Sequence, residues 1–251
     1  MKKPSITTSH FLSTSTIFIL LLAWQIYAIE VNNPYLMPRP NQVFDSLKLL
    51  LVEWDTYIVI LTTLKRLIFS MAISIFFGMV LGLISGVHYE LEALLKPIVI
   101  SLRTLPVISI VIIVLILYGN TFSLYLISFL LLFPIIYQAE LDGIKNIDNT
   151  LKEVLKLDCD KCTMQTMRMV YLPLSIPFLR TGVIQSAGLG IKVLVVSEFI
   201  AQSKISIGKE IYFSRLNLEY SNVFAWTFIL IFIVLIIEHL VNRYLKIPYE
   251  T

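Results

Sequence analysis

Residues 67–87 form an unbroken apolar stretch without one charged side chain. A helix rises 1.5 Å per residue, so about 20 residues cross the hydrocarbon of a bilayer, and this stretch is long enough to do so. Five other runs resemble it, and no alternating pattern of a membrane barrel is present. The sequence predicts an all-α integral membrane protein with six transmembrane helices, at about residues 12–29, 64–87, 97–119, 122–138, 174–201 and 222–241.

Composition excludes other classes of protein. The chain is 57% hydrophobic and 15% charged, whereas soluble domains average about 45–50% and about 25%. The net charge of +3 gives no electrostatic footprint for nucleic acid. We therefore expect membrane lipid, and no nucleic acid, around this chain.

The distribution of lysine and arginine predicts the orientation, because cytoplasmic loops carry more of them. The first run follows Lys2 and Lys3 but lacks a small-residue cleavage site, so we interpret it as a retained helix rather than a signal peptide. With that terminus inside, the inner segments carry most of the positive charge. Both termini and residues 139–173 are then predicted to be cytoplasmic.

Segment 41–61 is apolar but is interrupted by Asp45, Lys48 and Glu53. Its apolar residues recur at helical spacing, which predicts an amphipathic helix lying on the outer surface of the membrane. A seventh span is the alternative interpretation.

The segment between the fourth and fifth runs is long, charged and partly apolar. Thr150 and Glu153 form a capping-box pattern, and a second helix is predicted from about Thr163, with Met164 and Met167 on one face. Pro173 marks its end. Such a pair of short helices either packs on its own bundle or offers its methionine-rich part to a partner.

Cys159 and Cys162 form a Cys-x-x-Cys pattern within this segment. A zinc site would need further cysteine or histidine ligands nearby, and a thioredoxin-like site would need a strand–helix unit around the motif. Neither is present in the sequence, so we interpret these residues as two reduced thiols and predict no metal site.

The same segment resembles the cytoplasmic signature of bacterial ABC-transporter permeases of the binding-protein-dependent family. That signature begins with Glu-Ala-Ala, has a glycine four residues after the last alanine and ends in Leu-Pro. Here "EVL" at 153–155 stands for the first part without either alanine, and "LP" at 172–173 matches the end, while Cys159 takes the place of the glycine and the stretch is one residue longer. The segments "LMPRPNQVFDSL", "TTLKRLIFSMAISIFFGMVLGLISG" and "VVSEFIA" resemble the nitrate, sulfonate and taurine branch.

The resemblance implies one transmembrane permease domain, residues 1–251, of the type I importer kind. It implies a second permease copy, ABC ATPase subunits that carry ATP and magnesium, and an extracytoplasmic solute-binding protein that delivers a small nutrient, such as a sulfonate, nitrate, taurine or a vitamin precursor. The cytoplasmic loop at about 146–172 would couple to the ATPase through Thr150, Glu153, Val154, Leu155, Lys156, Leu157, Asp158, Cys159, Met164, Met167, Leu172 and Pro173.

The chain itself has no phosphate-binding loop of the Gly-x4-Gly-Lys-Ser/Thr kind. We therefore expect no cofactor on this chain and no enzymatic activity, with ATP hydrolysed by a partner at the bacterial cytoplasmic membrane.

Charged residues within the runs are candidates for function, since a charge at mid-bilayer costs about 2.5–3.5 kcal/mol on insertion scales. Arg103, Lys192 and Glu198 are predicted to line the translocation path. An internal pair, or a contact with neighbouring backbone carbonyls, is the alternative role for the first two. Glu198 is expected near the outer surface, and Arg66 is expected to extend to the interface.

Small residues recur every fourth position in two runs and predict close helix packing. They are Gly78, Gly82 and Gly86 in the second run and Gly182, Ser186 and Gly190 in the fifth.

A secondary transporter driven by an ion gradient is the alternative function. That class would show inverted repeats and broken helices with carboxylates at the midplane. The predicted runs contain no carboxylate at mid-span and no clear internal repeat.

Overall fold

The computed structural model describes residues 6–148, 150–151 and 164–244, and every element in this part of the chain is a helix. A helical turn, Met164–Thr166, and a π-turn, Met167–Tyr171, lead directly into the seventh helix. The helices are α1 Ile6–Val31, α2 Pro40–Val52, α3 Trp54–Val87, α4 Tyr89–Thr104, α5 Val107–Tyr118, α6 Asn120–Lys145, α7 Leu172–Ala201, α8 Ile207–Leu216 and α9 Tyr220–Tyr244.

Four stretches of helix are long and apolar enough to span a membrane, namely Trp54–Val87, Asn120–Lys145, Met167–Ala201 and Tyr220–Val241. The pair formed by α4 and α5 makes a fifth if it counts as one broken span, and Ser15–Val31 is a shorter apolar helix. The all-helical membrane fold is thereby confirmed, while the number of six spans stays a prediction.

The third predicted run is not one straight helix. It divides into α4 and α5, whose axes meet at 104°. Proline disfavours helical geometry at the residue before it, and Leu105, which precedes Pro106, is extended with ψ 136°. The expectation of a continuous span over 97–119 is therefore wrong, and Pro106 is the physical reason.

The outer segment 41–61 also divides, because Glu53 is extended (ψ 127°) and separates α2 from α3. Helix α2 begins with Pro40 at its first position and is closed by the Arg39 amide, which donates to Gln42 Oε1 at 2.8 Å. It buries Val43 and leaves Asp45 and Lys48 exposed, as an amphipathic helix does, while its place on the outer surface of the membrane stays a prediction. Its 13 residues are too few for a seventh span.

The helices belong to two compact units. The first comprises residues 1–58 and 210–230, and the second comprises residues 59–209 and 231–251. In the first unit the Trp24 ring stacks on Phe224, with centroids 5.4 Å apart, and Trp24 Nε1 donates to the carbonyl of Pro38 at 3.1 Å. Trp24 thus joins α1 to α9 and to the segment before α2.

The second unit is built around α6, which packs on α3 along one side and on α7 along another. The packing is close because glycines of α3 lie against α6: a Cβ added to Gly78, Gly82 or Gly86 would come within 3 Å of α6 atoms. On α7, Gly182 lies against Ala139, and Gly190 lies against Leu67 and Leu132. Both predicted small-residue ridges therefore serve packing within this chain.

Glycine is required for its conformation where α5 meets α6. Gly119 has φ 72° and ψ −177°, a region that side chains with a Cβ rarely adopt. The Ser123 hydroxyl donates to the carbonyl of Val114 at 3.0 Å and also contacts that of Gly119, which fixes the turn in place.

We predict that Gly82→Ala destabilises the protein by about 1–3 kcal/mol, the range for forcing an extra carbon into a packed core. Its Cβ would lie 2.7 Å from Glu140 Cβ and 2.8 Å from the carbonyl oxygen of Tyr137. The measurement is thermal unfolding in detergent, with Gly188→Ala as the control, because that Cβ would meet only the flexible end of Glu238 at 3.1 Å. Both changes gain about 1 kcal/mol of helix propensity, so a Gly82→Ala protein as stable as the control would contradict the packing.

Candidate functional site

The predicted coupling loop leaves α6 after Lys145 and returns at Leu172. Within it the structure describes residues 146–148, 150–151 and the backbone from Met164 onward. The Thr150 amide donates to Asp148 Oδ1 at 2.8 Å. The other predicted coupling residues of its first half lie outside the described residues, namely Glu153, Val154, Leu155, Lys156, Leu157, Asp158 and Cys159.

The second half of the loop joins α7 without a break. Met167 opens the π-turn and is buried at 6% exposure, whereas Met169 is 66% exposed. Leu172 and Pro173 then continue this helix as the first residues of α7. Met167 packs inward, whereas the Met169 side chain is exposed.

A buried hydrogen bond fixes the base of α7. Ser175 donates to Glu140 Oε1 of α6 at 2.7 Å, and both side chains are fully buried. Gly143 leaves room for this approach, since its Cβ would lie 2.9 Å from Ser175 Cβ. The sequence prediction ended the fourth run at residue 138, before Glu140, so it missed a carboxylate inside a membrane helix. No spacing in the sequence points to its partner.

One face of α7, a helix that is long enough to span a membrane, carries polar side chains and is exposed in this chain. Thr181, Gln185 and Lys192 are exposed and follow one another at helical spacing, together with the exposed apolar residues Phe178, Leu189 and Val196. We call this stripe the polar face of α7. Lys192 makes no ion pair within the described residues.

The polar face borders an open cavity of about 620 Å³. Arg103, one residue before the end of α4, contributes a cation, and Gln138 donates to Asp142 Oδ1 at 2.8 Å along the wall formed by α6. Apolar side chains of α6 and α7 complete the lining. The cavity combines charged, amide and apolar groups, which suits a small polar solute.

The two predicted path cations are thus in different places: Arg103 lines this cavity, and Lys192 lies one turn beyond its last lining residue, Leu189. The third predicted path residue, Glu198, is not exposed to it. The expectation that Glu198 occupies a solvated position is wrong, because its side chain is 0% exposed.

Glu198 instead forms an ion pair with Arg66 of α3, with Nη1 and Oε1 2.7 Å apart. Its carboxylate also accepts from the Thr63 hydroxyl at 3.1 Å and from the Gly208 amide at 3.4 Å. A buried charge is costly unless it is paired and hydrogen-bonded, and these donors meet that requirement. Arg66 is therefore held inside the fold rather than extended to the interface.

The described residues contain no group of three or more histidine, cysteine, aspartate or glutamate side chains that could hold a metal ion.

Comparison with known proteins agrees with this picture. Residues 74–247 match the family described as binding-protein-dependent transport system inner membrane component. The chain is 27% identical to the formylaminopyrimidine transport permease protein of Halalkalibacterium halodurans, over 86% of each chain.

Two further relatives transport sulfur compounds by name. The chain is 24% identical to the taurine transport system permease protein of Escherichia coli, covering 77% of this chain and 72% of the relative. It is also 24% identical to the putative aliphatic sulfonates transport permease protein of Bacillus subtilis, covering 82% and 75%. With more than half of its length inside the family's pattern, the chain belongs to the inner membrane components of binding-protein-dependent transport systems and is the permease subunit of an ABC importer.

Proposed function

We propose that two copies of this chain form the membrane path of an importer for a small polar nutrient. The solute class is that of the relatives, a sulfonate, taurine-like or vitamin-precursor compound. The observation that carries the proposal is the polar face of α7, because it lies on a membrane-spanning helix and is exposed in the single chain.

A charged side chain on a lipid-facing surface is disfavoured by about 2.5–3.5 kcal/mol on insertion scales. Lys192 together with Gln185 and Thr181 therefore favours water or a second protein opposite the polar face of α7. A second copy placed across this face would enclose a path lined by both chains, which supports a homodimer.

Arg103 supports the same location for the path. It precedes the break between α4 and α5, where Leu105 (ψ 136°) and Pro106 (ψ 131°) leave helical geometry. Non-helical backbone at membrane depth is tolerated where it borders a cavity or is buried in protein. We therefore assign Arg103 and Lys192 to contacts with the solute, and Glu198 to holding the fold.

One end of the second unit carries Lys145, Glu92 and Leu172 and is here called the Lys145 end. We propose that it faces the cytoplasm, as do both chain termini. Lys145 Nζ lies 2.5 Å from Glu92 Oε1 there, joining α6 to α4. A partner ATPase that carries ATP and magnesium would grip the loop 146–172. The Ser175–Glu140 hydrogen bond would pass the resulting movement of α7 to α6.

The opposite end, which carries Thr63, Glu198 and Ile207, is the Glu198 end. We propose that it faces outward, where an extracytoplasmic binding protein docks and releases the solute. Alternating access would then consist of closing one end of the path while the other opens.

Replacing the predicted coupling carboxylate should uncouple the importer. Glu153→Arg places a cation where the ATPase groove is expected to receive an acid, and an unpaired charge at such a contact costs about 2–5 kcal/mol, so we expect uptake to fall by more than about tenfold. The measurement is uptake of radiolabelled taurine, an aliphatic sulfonate and formylaminopyrimidine into cells, together with the amount of chain in the membrane and of copurified ATPase.

The matched control for this change is Glu90→Arg, the same charge reversal at an exposed residue in the first turn of α4. Uptake by Glu153→Arg at the wild-type rate would count against the coupling role. Failure of any ATPase to copurify with the wild-type chain would count against the proposed function as a whole.

Replacing Lys192 distinguishes a helix surface that faces the path from one that faces lipid. Lys192→Met keeps the length of the side chain and removes its charge. If the residue contacts solute, uptake falls by about tenfold, because a hydrogen bond to a charged group contributes about 1.5–3 kcal/mol. Copurification of the ATPase should be unchanged.

The control is Lys48→Met, the same change at an exposed residue of α2, which lies outside the polar face of α7. If Lys192 faced lipid, its replacement by methionine would favour insertion and leave uptake unaltered, which is the opposite result.

A further inference from the structure

A second structural role emerges at the Glu198 end, and it rests on the proposed docking of a binding protein there. Residues 202–208 connect α7 to α8 and include the first two residues of α8, and this short turn is here called the outer hairpin. Gln202 ends α7 in the left-handed region with φ 48°. The chain then turns back so that Gly208 lies against the last turns of α7.

The outer hairpin is fixed internally. The Ser203 hydroxyl donates to Ser206 Oγ at 2.7 Å, and Ser206 Oγ accepts the Lys209 amide at 3.2 Å, as the cap of a helix N-terminus does. Lys209 Nζ reaches back to the carbonyl of Lys204 at 2.8 Å. The hairpin therefore has a defined shape of its own.

Three polar contacts between this hairpin and the spans meet at one cluster. Arg66 Nη1 donates both to Glu198 and to the carbonyl of Ile205, the latter at 3.0 Å. The Ile207 amide donates to Thr63 Oγ1 at 3.2 Å, and the same hydroxyl donates to Glu198. One carboxylate thus holds α3, α7 and the start of α8 together.

The packing around Gly208 leaves no room for a side chain. A Cβ there would come within 3 Å of the Phe199 amide nitrogen, the Val195 carbonyl oxygen and Glu198 Cβ. A backbone that is both hydrogen-bonded and in direct contact cannot slide on α7 without breaking the cluster.

From this geometry we infer that the Arg66–Glu198 pair is a rigid link between the outer hairpin and α7, here called the joint. It makes the outer hairpin and the first turn of α8 move as one body with α7. Because α7 runs as one helix from Leu172 to Ala201, movement that the ATPase imposes at the Lys145 end reaches the outer face at the hairpin. Arg66, Thr63 and Glu198 are in this sense positioning residues for the release of solute from the binding protein.

The test uses the full chain in nanodiscs with the ATPase that copurifies with it, and with Cys159 and Cys162 replaced by serine. One environment-sensitive fluorophore is attached at Lys204→Cys, which is exposed on the outer hairpin, and another, in a separate protein, at Leu174→Cys at the base of α7. Trapping with ATP and vanadate should change both signals in the protein that keeps the joint.

Glu198→Gln removes the charge but keeps an acceptor. We expect hydrogen exchange at the Ile207 and Gly208 amides to rise by about tenfold, the factor that corresponds to 1.4 kcal/mol and to the loss of a charged hydrogen bond. The signal at position 204 should then no longer respond to trapping, while the signal at position 174 still responds. Lys48→Gln is the control, because it breaks an exposed pair, Lys48–Asp45, that holds no hairpin.

Thr63→Val is the second variant, used if Glu198→Gln does not fold. It removes only the hydroxyl that links Glu198 to Ile207 and should reduce the response at position 204 in part. A full response at position 204 despite raised exchange would overturn the joint and leave the proposed function intact. No response at either position in the protein with the native joint, with ATPase bound, would overturn both.

Discussion

The constraint on which this structure depends is the close approach of α6 to its neighbours. In hydrocarbon no hydrophobic force drives helices together, so they associate through packing and a few polar contacts. Glycines supply the packing on both sides of α6: Gly78, Gly82 and Gly86 of α3 leave space for Ile136, Glu140 and Ile144. On the other side Gly182 admits Ala139. A side chain at these positions would separate the helices and expose the polar groups that the contact encloses.

Two buried carboxylates lie near opposite ends of α7. Glu140 receives Ser175 at one end, and Glu198 binds Arg66 at the other. Removing one partner of a buried ion pair typically costs about 3–5 kcal/mol, whereas a single hydrogen bond to a charged group contributes about 1.5–3 kcal/mol. Helix α7 is thus held more strongly by the ion pair at its Glu198 end than by the one hydrogen bond from Ser175 at its base.

The sequence predicted the features that are local in the chain. The run 174–201 corresponds to α7, Leu172–Ala201, because length and hydropathy alone define such a span. The glycine spacing predicted helix contacts correctly. Pro106 is a signal in the sequence for the break between α4 and α5. The prediction missed the break because it followed hydropathy, which continues across this proline.

Pairings between distant segments could not be predicted from the sequence. Glu198 and Arg66 are separated by 132 positions, and no helical spacing relates them. Glu140 was missed for a related reason: α6 continues to Lys145, so a residue that resembles the start of a loop lies inside a packed helix. The polar face of α7 was only partly foreseen, through Lys192, because which side of a helix stays uncovered depends on its neighbours.

The π-turn at Met167–Tyr171 has a consequence for the alignment of this chain with its family. Hydrogen bonds in such a turn reach one residue further than in an α-helix, so the turn accommodates one additional residue without shifting the helix after it. The segment from Glu153 to Pro173 is one residue longer than the family signature. A π-turn of this kind has room for one residue more than an α-helical turn, so the rotational position of Leu172 and Pro173 at the foot of α7 does not have to change with the length of the segment.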